Sequence, residues 1–188
     1  MAITPLINWS QQTAIKKISA NNQSKFAQIE SETENTELRD LLGVALLQDL
    51  QENGATAANI DLIEGTDFVN CEGQTIKHKG VRFVLAYMIY SRYLGESFVN
   101  DTFSGFVQKN RTDSEQLSEG SIRRLQENNR VIAMSEWQLI KEFLDLNNTT
   151  YPLWNCTTSK KPYTPRFIGV RKTLTRGTNN IDINFIQL

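Results

Sequence analysis

The sequence predicts a mainly α protein. Its body is a small helical bundle around a buried central helix and one long helix, with a loop or β-hairpin insertion and an extended, partly β C-terminal arm. Three stretches carry this reading. From Val81 to Tyr90 nearly every residue is apolar or aromatic and only Arg82 interrupts; a helix that is apolar nearly all round is one that other elements surround. From Ser118 to Leu146 the residues Ile122, Leu125, Ile132, Trp137, Ile140, Phe143 and Leu144 recur at helical spacing. Near the end, Ile168, Val170, Lys172 and Leu174, then Ile181, Ile183 and Phe185, alternate with a period of two, as strands do.

Length and composition set the frame. At 188 residues, with 22% charged and 39% hydrophobic side chains, the chain fits one domain with appendages and can bury a sizeable core. The predicted organisation is an N-terminal arm over 1–23, a helical domain over 24–154 and an extended arm over 155–188. The net charge of −1 hides an asymmetry. Between Glu30 and Asp67 the acids Glu32, Glu34, Glu37, Asp40, Asp49, Glu52, Asp61 and Glu64 face one basic residue, Arg39. From Leu146 to Ile181 there is no acid, while Lys160, Lys161, Arg166, Arg171, Lys172 and Arg176 all occur. Such halves either attract each other, within a chain or between copies, or remain two solvated surfaces.

Taken in order, residues 1–23 read as an irregular arm anchored by Ile3, Leu6, Ile7 and Trp9, with Ala14–Ile18 forming a helical turn or a short strand. Ser24 is a candidate cap for a helix with Phe26, Ile29, Thr33 and Leu38 inward and its acids, Glu30 and Glu34 among them, on a solvated face; alternatively Thr36 opens a second segment. Leu41, Leu42, Ala45, Leu46 and Leu50 continue at helical spacing, Gly43 marks a break, and Asn53-Gly54 ends the run. Residues 55–77 read as loop or β-hairpin. The central helix over 79–94 follows, with Gly95 as its stop signal. Its apolar run is about half the ~20 residues a membrane span needs, so no membrane is expected. Residues 98–109 read as loop or short extended structure. Ser118 caps the long helix, Asn147-Asn148 ends it, and Pro162 and Pro165 keep 160–166 extended.

Sites for chemistry are scarce. His78 is the single histidine, so a His-based triad has no second candidate base, and Cys71 and Cys156 are isolated, without metal or redox spacing. Both are expected as reduced thiols. There is no phosphate-binding glycine loop and no nucleophile-elbow motif. Met1-Ala-Ile-Thr-Pro-Leu-Ile lacks the basic and apolar regions of a signal peptide. The reading is of a protein that is not an enzyme, with no cofactor and no metal. Nucleic-acid binding is the alternative: cations interleaved with Tyr163 and Phe167 suit backbone contacts and stacking, against which stands a pI of about 5.9.

Several pieces in order, Leu41-Leu42-Gly43-Val-Ala-Leu-Leu-Gln-Asp-Leu50, His78-Lys-Gly80 running into Val-Leu-Ala-Tyr-Met-Ile-Tyr-Ser-Arg-Tyr93, the Ser114-Glu115 span, and a long helix ending before Tyr151-Pro-Leu-Trp154, resemble the head–tail adaptor proteins of tailed bacteriophages. The likeness is greatest to those of Bacteroides and crAss-like phages and covers residues 24–154. The resemblance implies a structural virion protein: a helical subunit repeated in a ring, usually of about twelve copies, docked under the portal protein. The ring would join capsid to tail, meet other connector or tail proteins, and help retain packaged DNA, with possible DNA contact in the lumen. Assembly in the host cytoplasm and residence at the head–tail interface follow. The arm lies outside the match. Its Tyr163, Arg166, Phe167, Ile168, Arg171, Lys172, Arg176 and Phe185 are the residues expected to meet a neighbouring subunit or the portal.

Overall fold

The computed structural model describes residues 5–18, 23–96, 99–102, 105–108 and 118–156. The described residues all belong to one compact unit, Met1–Thr158. The strands expected within 167–186 lie outside the described residues. The fold is mainly helical, with small antiparallel hairpins inserted between helices.

Helix α1 (Trp9–Ile15) begins at a reciprocal cap, in which Asn8 accepts from the Gln11 N–H and the Gln11 side chain accepts from the Asn8 N–H, both at 2.9 Å. Leu6, Ile7 and Ile18 around it are buried, and Trp9 meets the edge of Phe26. Helix α2 (Gln23–Thr33), a π-helical turn (Glu34–Leu38) and α3 (Arg39–Leu42) run on without a break. Ser24 lies inside α2 and does not cap it. Thr36 opens no new segment, and its hydroxyl donates back to the Glu32 carbonyl at 2.6 Å. The inward set is the expected one: Phe26, Ile29, Thr33 and Leu38 are all buried. Its last step is five residues, which an α-helix does not place on one face; the π turn absorbs the surplus residue.

Gly43, at φ +81, breaks the chain as expected and starts α4 (Val44–Asn53), which buries Leu46, Leu47 and Leu50. The stretch expected as loop or hairpin over 55–77 contains both a helix and a hairpin. Thr56 caps α5 (Ala57–Glu64) by accepting from the Asn59 N–H, and Leu62 and Ile63 face the core. Gly65 ends α5 at φ +94. Strands β1 (Asp67–Val69) and β2 (Thr75–Lys77) then pair with Phe68 opposite Ile76, so Phe68 points inward while Asp67 and Val69 point out. The Asn70 side chain closes their turn, accepting from the N–H groups of Glu72 and Gln74.

The central helix α6 (Gly80–Glu96) is the hub: α1, α2, α5 and above all α7 pack on it. Gly95 does not stop it, since the helix continues to Glu96. Its two arginines tie the surrounding layer down. Arg82 donates to the Leu6 carbonyl and pairs with Glu64. Arg92 reaches Glu32, Glu37 and Thr36, and Arg130 of α7 joins the same Glu37. Strands β3 (Val99–Thr102) and β4 (Gly105–Gln108) form a second antiparallel hairpin.

Helix α7 (Glu119–Leu146) starts at Ser118, which accepts from the Ser121 N–H, and stops at Asn147. Its 28 residues extend ~42 Å at ~1.5 Å each. Ser91, buried on α6, lets the two helices approach: its hydroxyl donates to the Gln126 carbonyl at 3.0 Å and Gln126 Nε2 donates to the Ser91 carbonyl at 3.1 Å. A 3-10 turn (Pro152–Cys156) closes the body, with Trp154 against Trp137 and its indole N–H on Asp145.

Candidate interaction surface

The eight residues expected on the arm (Tyr163, Arg166, Phe167, Ile168, Arg171, Lys172, Arg176 and Phe185) lie outside the described residues. Within the body, the polar groups sequence reasoning set aside turn out to be buried, and the exposed features are apolar.

Glu30 and Glu34, read as a solvated face, are 7% and 3% exposed. They are covered because the segment around α1 lies over α2. Glu34 accepts from the Leu6 N–H at 2.8 Å and from Gln51 Nε2 at 3.0 Å, so the second carboxylate is satisfied by tertiary contacts that helix periodicity does not reveal. Burial, the adjacent Glu34 charge and a hydrogen bond to Glu34 push the Glu30 carboxyl up to about 8. Glu30 therefore keeps its proton at neutral pH.

His78 is fully buried, between Phe68 and Phe143, with ring centroids 5.8 and 4.6 Å away. Neither ring nitrogen finds a partner among the described residues. Burial pushes it down to about 4, against a smaller upward pull from Asp61. It stays neutral and serves as a packing ring. As the pH falls from 6.5 toward 4 the unfolded chain takes up a proton that the folded chain refuses, so stability falls in that window. His78→Leu is expected to remain within about 1 kcal/mol of wild type at pH 7, since an apolar group replaces two orphaned polar atoms. It should also gain stability relative to wild type as the pH falls from 6.5 to 4, because the variant lacks the His78 contribution to the pH dependence. Urea midpoints at pH 7 and 4.5 check this, and parallel losses in both proteins would contradict it.

Phe143 also meets Phe68 and Tyr151 edge-on, at 5.5 and 5.7 Å. The Tyr151 hydroxyl donates to the Ala58 carbonyl, and burial followed by the Asp61 charge pushes it up to about 12. This ring cluster backs a groove of about 700 Å³ between α5, β1 and the end of α7. Val69 and Leu146 line it with 58% and 47% of their surface still exposed, and Asp61 and Asp67 stand on it as exposed acids. A second apolar feature runs along α7, where Leu125, Ile132, half-buried Leu139 and Leu146 recur every seven residues beside exposed Val131. A seven-residue row drifts only ~20° per repeat on a helix and so keeps to one side.

Residues 38–164 match the model of a family described as a family of unknown function, DUF6712. The chain belongs to that family. Comparison with curated proteins finds no match, and comparison with solved structures finds none. The DUF6712 match takes in α3 through the 3-10 turn, hence the central helix, the long helix and every residue of the groove. Among the described residues of this DUF6712 member no three His, Cys, Asp or Glu side chains come together as a metal site, and no helix is long and apolar enough to cross a membrane. Sequence reasoning missed Asp61, Asp67 and Val69. The signal that would have found them is Thr56 as a cap and Gly65 as a stop, which frame α5 and set the strand after it.

Proposed function

We propose that this chain is a structural virion protein, the subunit of a head–tail connector ring docked under the portal, joining capsid to tail and helping to retain packaged DNA. The observation that carries the reading is the apolar row on α7. The body buries a full core around α6 and still leaves Leu125, Ile132 and Leu146 each at least 40% exposed along the same helix. Apolar surface arranged in a row, not scattered, is what a subunit presents to other subunits. The charge asymmetry supports it further: a head-to-tail interface joins two different faces of one chain, and opposite charges on them suit a closed ring. The likeness of residues 24–154 to phage adaptors supplies the place in the particle.

The experiment is particle composition. Purified virions should contain the chain in about a dozen copies, and electron microscopy of the purified protein, alone or with portal, should show rings. A monomer absent from finished particles would sink the proposal. The acid-free basic segment favours one other reading, a nucleic-acid-binding module. Under it, DNA affinity would fall steeply with salt and neutralising Arg166, Arg171, Lys172 and Arg176 would abolish it.

A further inference from the structure

The geometry points to the groove between α5, β1 and the end of α7 as the docking site for residues 160–176 of a neighbouring copy; this assignment rests on the connector-ring reading. Four observations converge. The groove is lined by the rings of Phe68 and Phe143 and keeps Val69 and Leu146 exposed. Its acids, Asp61 and Asp67, have no ion-pair partner among the described residues, whereas Glu32, Glu37 and Glu64 are all matched to arginines. No Lys or Arg occurs between Asp40 and Ile76, and Lys77, which stands opposite Asp67 in the hairpin, makes no ion pair with it.

The fourth observation is the segment itself. Residues 160–176 carry Lys160, Lys161, Arg166, Arg171, Lys172 and Arg176, with no acid, and set Tyr163 and Phe167 among them. Pro162 and Pro165 predict an extended stretch there. A segment that mixes cations with aromatic rings suits a groove that combines exposed ring and aliphatic surface with carboxylates. Rings meet the apolar surface and cations meet the acids. A small polar ligand fits less well. Such sites depend on converging polar groups, and the Tyr151 hydroxyl at this one is committed to the Ala58 carbonyl.

Charge-swapped full-length chains test the assignment. One chain carries Asp61→Lys and Asp67→Lys, and the other carries Arg166→Glu and Arg171→Glu. Light scattering after size exclusion reads assembly, and circular dichroism checks that each chain folds. Each variant alone is expected to assemble at least about tenfold less readily than wild type, and their equimolar mixture is expected to recover, because each basic partner then meets an acidic one across the interface. Two singly swapped chains that assemble like wild type would overturn the groove. Recovery in a chain carrying all four substitutions, without recovery in the mixture, would mean that the segment docks on its own body, and would overturn the neighbouring-copy assignment. If the wild-type chain stays monomeric the ring reading fails by itself, and a labelled peptide of residues 159–176 decides the groove. Binding to the full chain that weakens at least about tenfold in D61K/D67K upholds it, and undiminished or absent binding overturns it.

Discussion

Replacing Gly80 by alanine is expected to leave little folded protein. Gly80 sits at φ +82, and a Cβ there would stand 2.3 Å from the Ile63 carbonyl oxygen and 2.6 Å from the Glu64 carbonyl carbon. Gly65 is its mirror: at φ +94, its Cβ would stand 2.3 Å from the His78 carbonyl oxygen. The end of α5 and the start of α6 thus cross backbone against backbone, and neither side can yield by rotating a side chain. The left-handed conformation alone costs an alanine ~1–2 kcal/mol. The collision adds several more, because separating the backbones moves α5 off the hub. A protein of this size has roughly 5–15 kcal/mol to lose. Gly73 is the built-in control. It has φ +79 but nothing within 4 Å of its Cβ position, so Gly73→Ala should show the conformational cost only. Urea midpoints followed by circular dichroism compare the two; equal losses would show that the crossing is not close-packed.

Glu30→Gln is expected to stabilise the protein, increasingly so at higher pH. In the folded state the carboxyl titrates near 8 against 4.5 when unfolded. Below pH 4.5 both states hold the proton and the site costs nothing through titration. From pH 4.5 to about 8 the unfolded chain gives its proton up while the folded chain keeps it, so stability falls steadily and then levels. Glutamine keeps the shape, carries no charge and still donates toward Glu34. The gain should be near zero at pH 4.5 and on the order of 2 kcal/mol at pH 8, or roughly 4–8 °C in Tm for a chain of this length. A pH-independent difference would contradict it. Between pH 4.5 and 6.5 the slopes from Glu30 and His78 oppose each other, which flattens the wild-type profile there.

The long and central helices were legible because their signals are local and redundant. In α7 a capping serine, a long apolar period and a terminal asparagine agree, and in α6 the run is too apolar to lie on a surface. Gly43 and Asn53-Gly54 were legible as breaks for the same reason. Helix α5 was not, since Ala-Ala-Asn-Ile-Asp-Leu-Ile-Glu is only eight residues long and its inward pair, Leu62 and Ile63, are adjacent, not periodic. Two buried polar groups were illegible in principle: Glu34 accepts from the Leu6 N–H and from Gln51, and the Gln12 amide donates to the Ala86 carbonyl, partners 28, 17 and 74 residues away. Gly95 misled because a glycine inside a helix costs only ~1 kcal/mol, which the packing of α6 on α7 overrides. Of the groove, the acids were visible as charge and its apolar wall was not, because Val69, Phe143 and Leu146 meet only through the fold.

The wide turn at Glu34–Leu38 bears on which changes in the gene the body tolerates. Losing one codon within it would restore an ordinary spiral and leave no gap in the main-chain bonding. The surplus residue is already taken up by the wide turn, so Phe26, Ile29 and Thr33 would keep their face toward the hub. A deletion in the ordinary turns of α2 has no such slack and would rotate the residues upstream of it by ~100°. Length is negotiable at Glu34–Leu38 and fixed beside it.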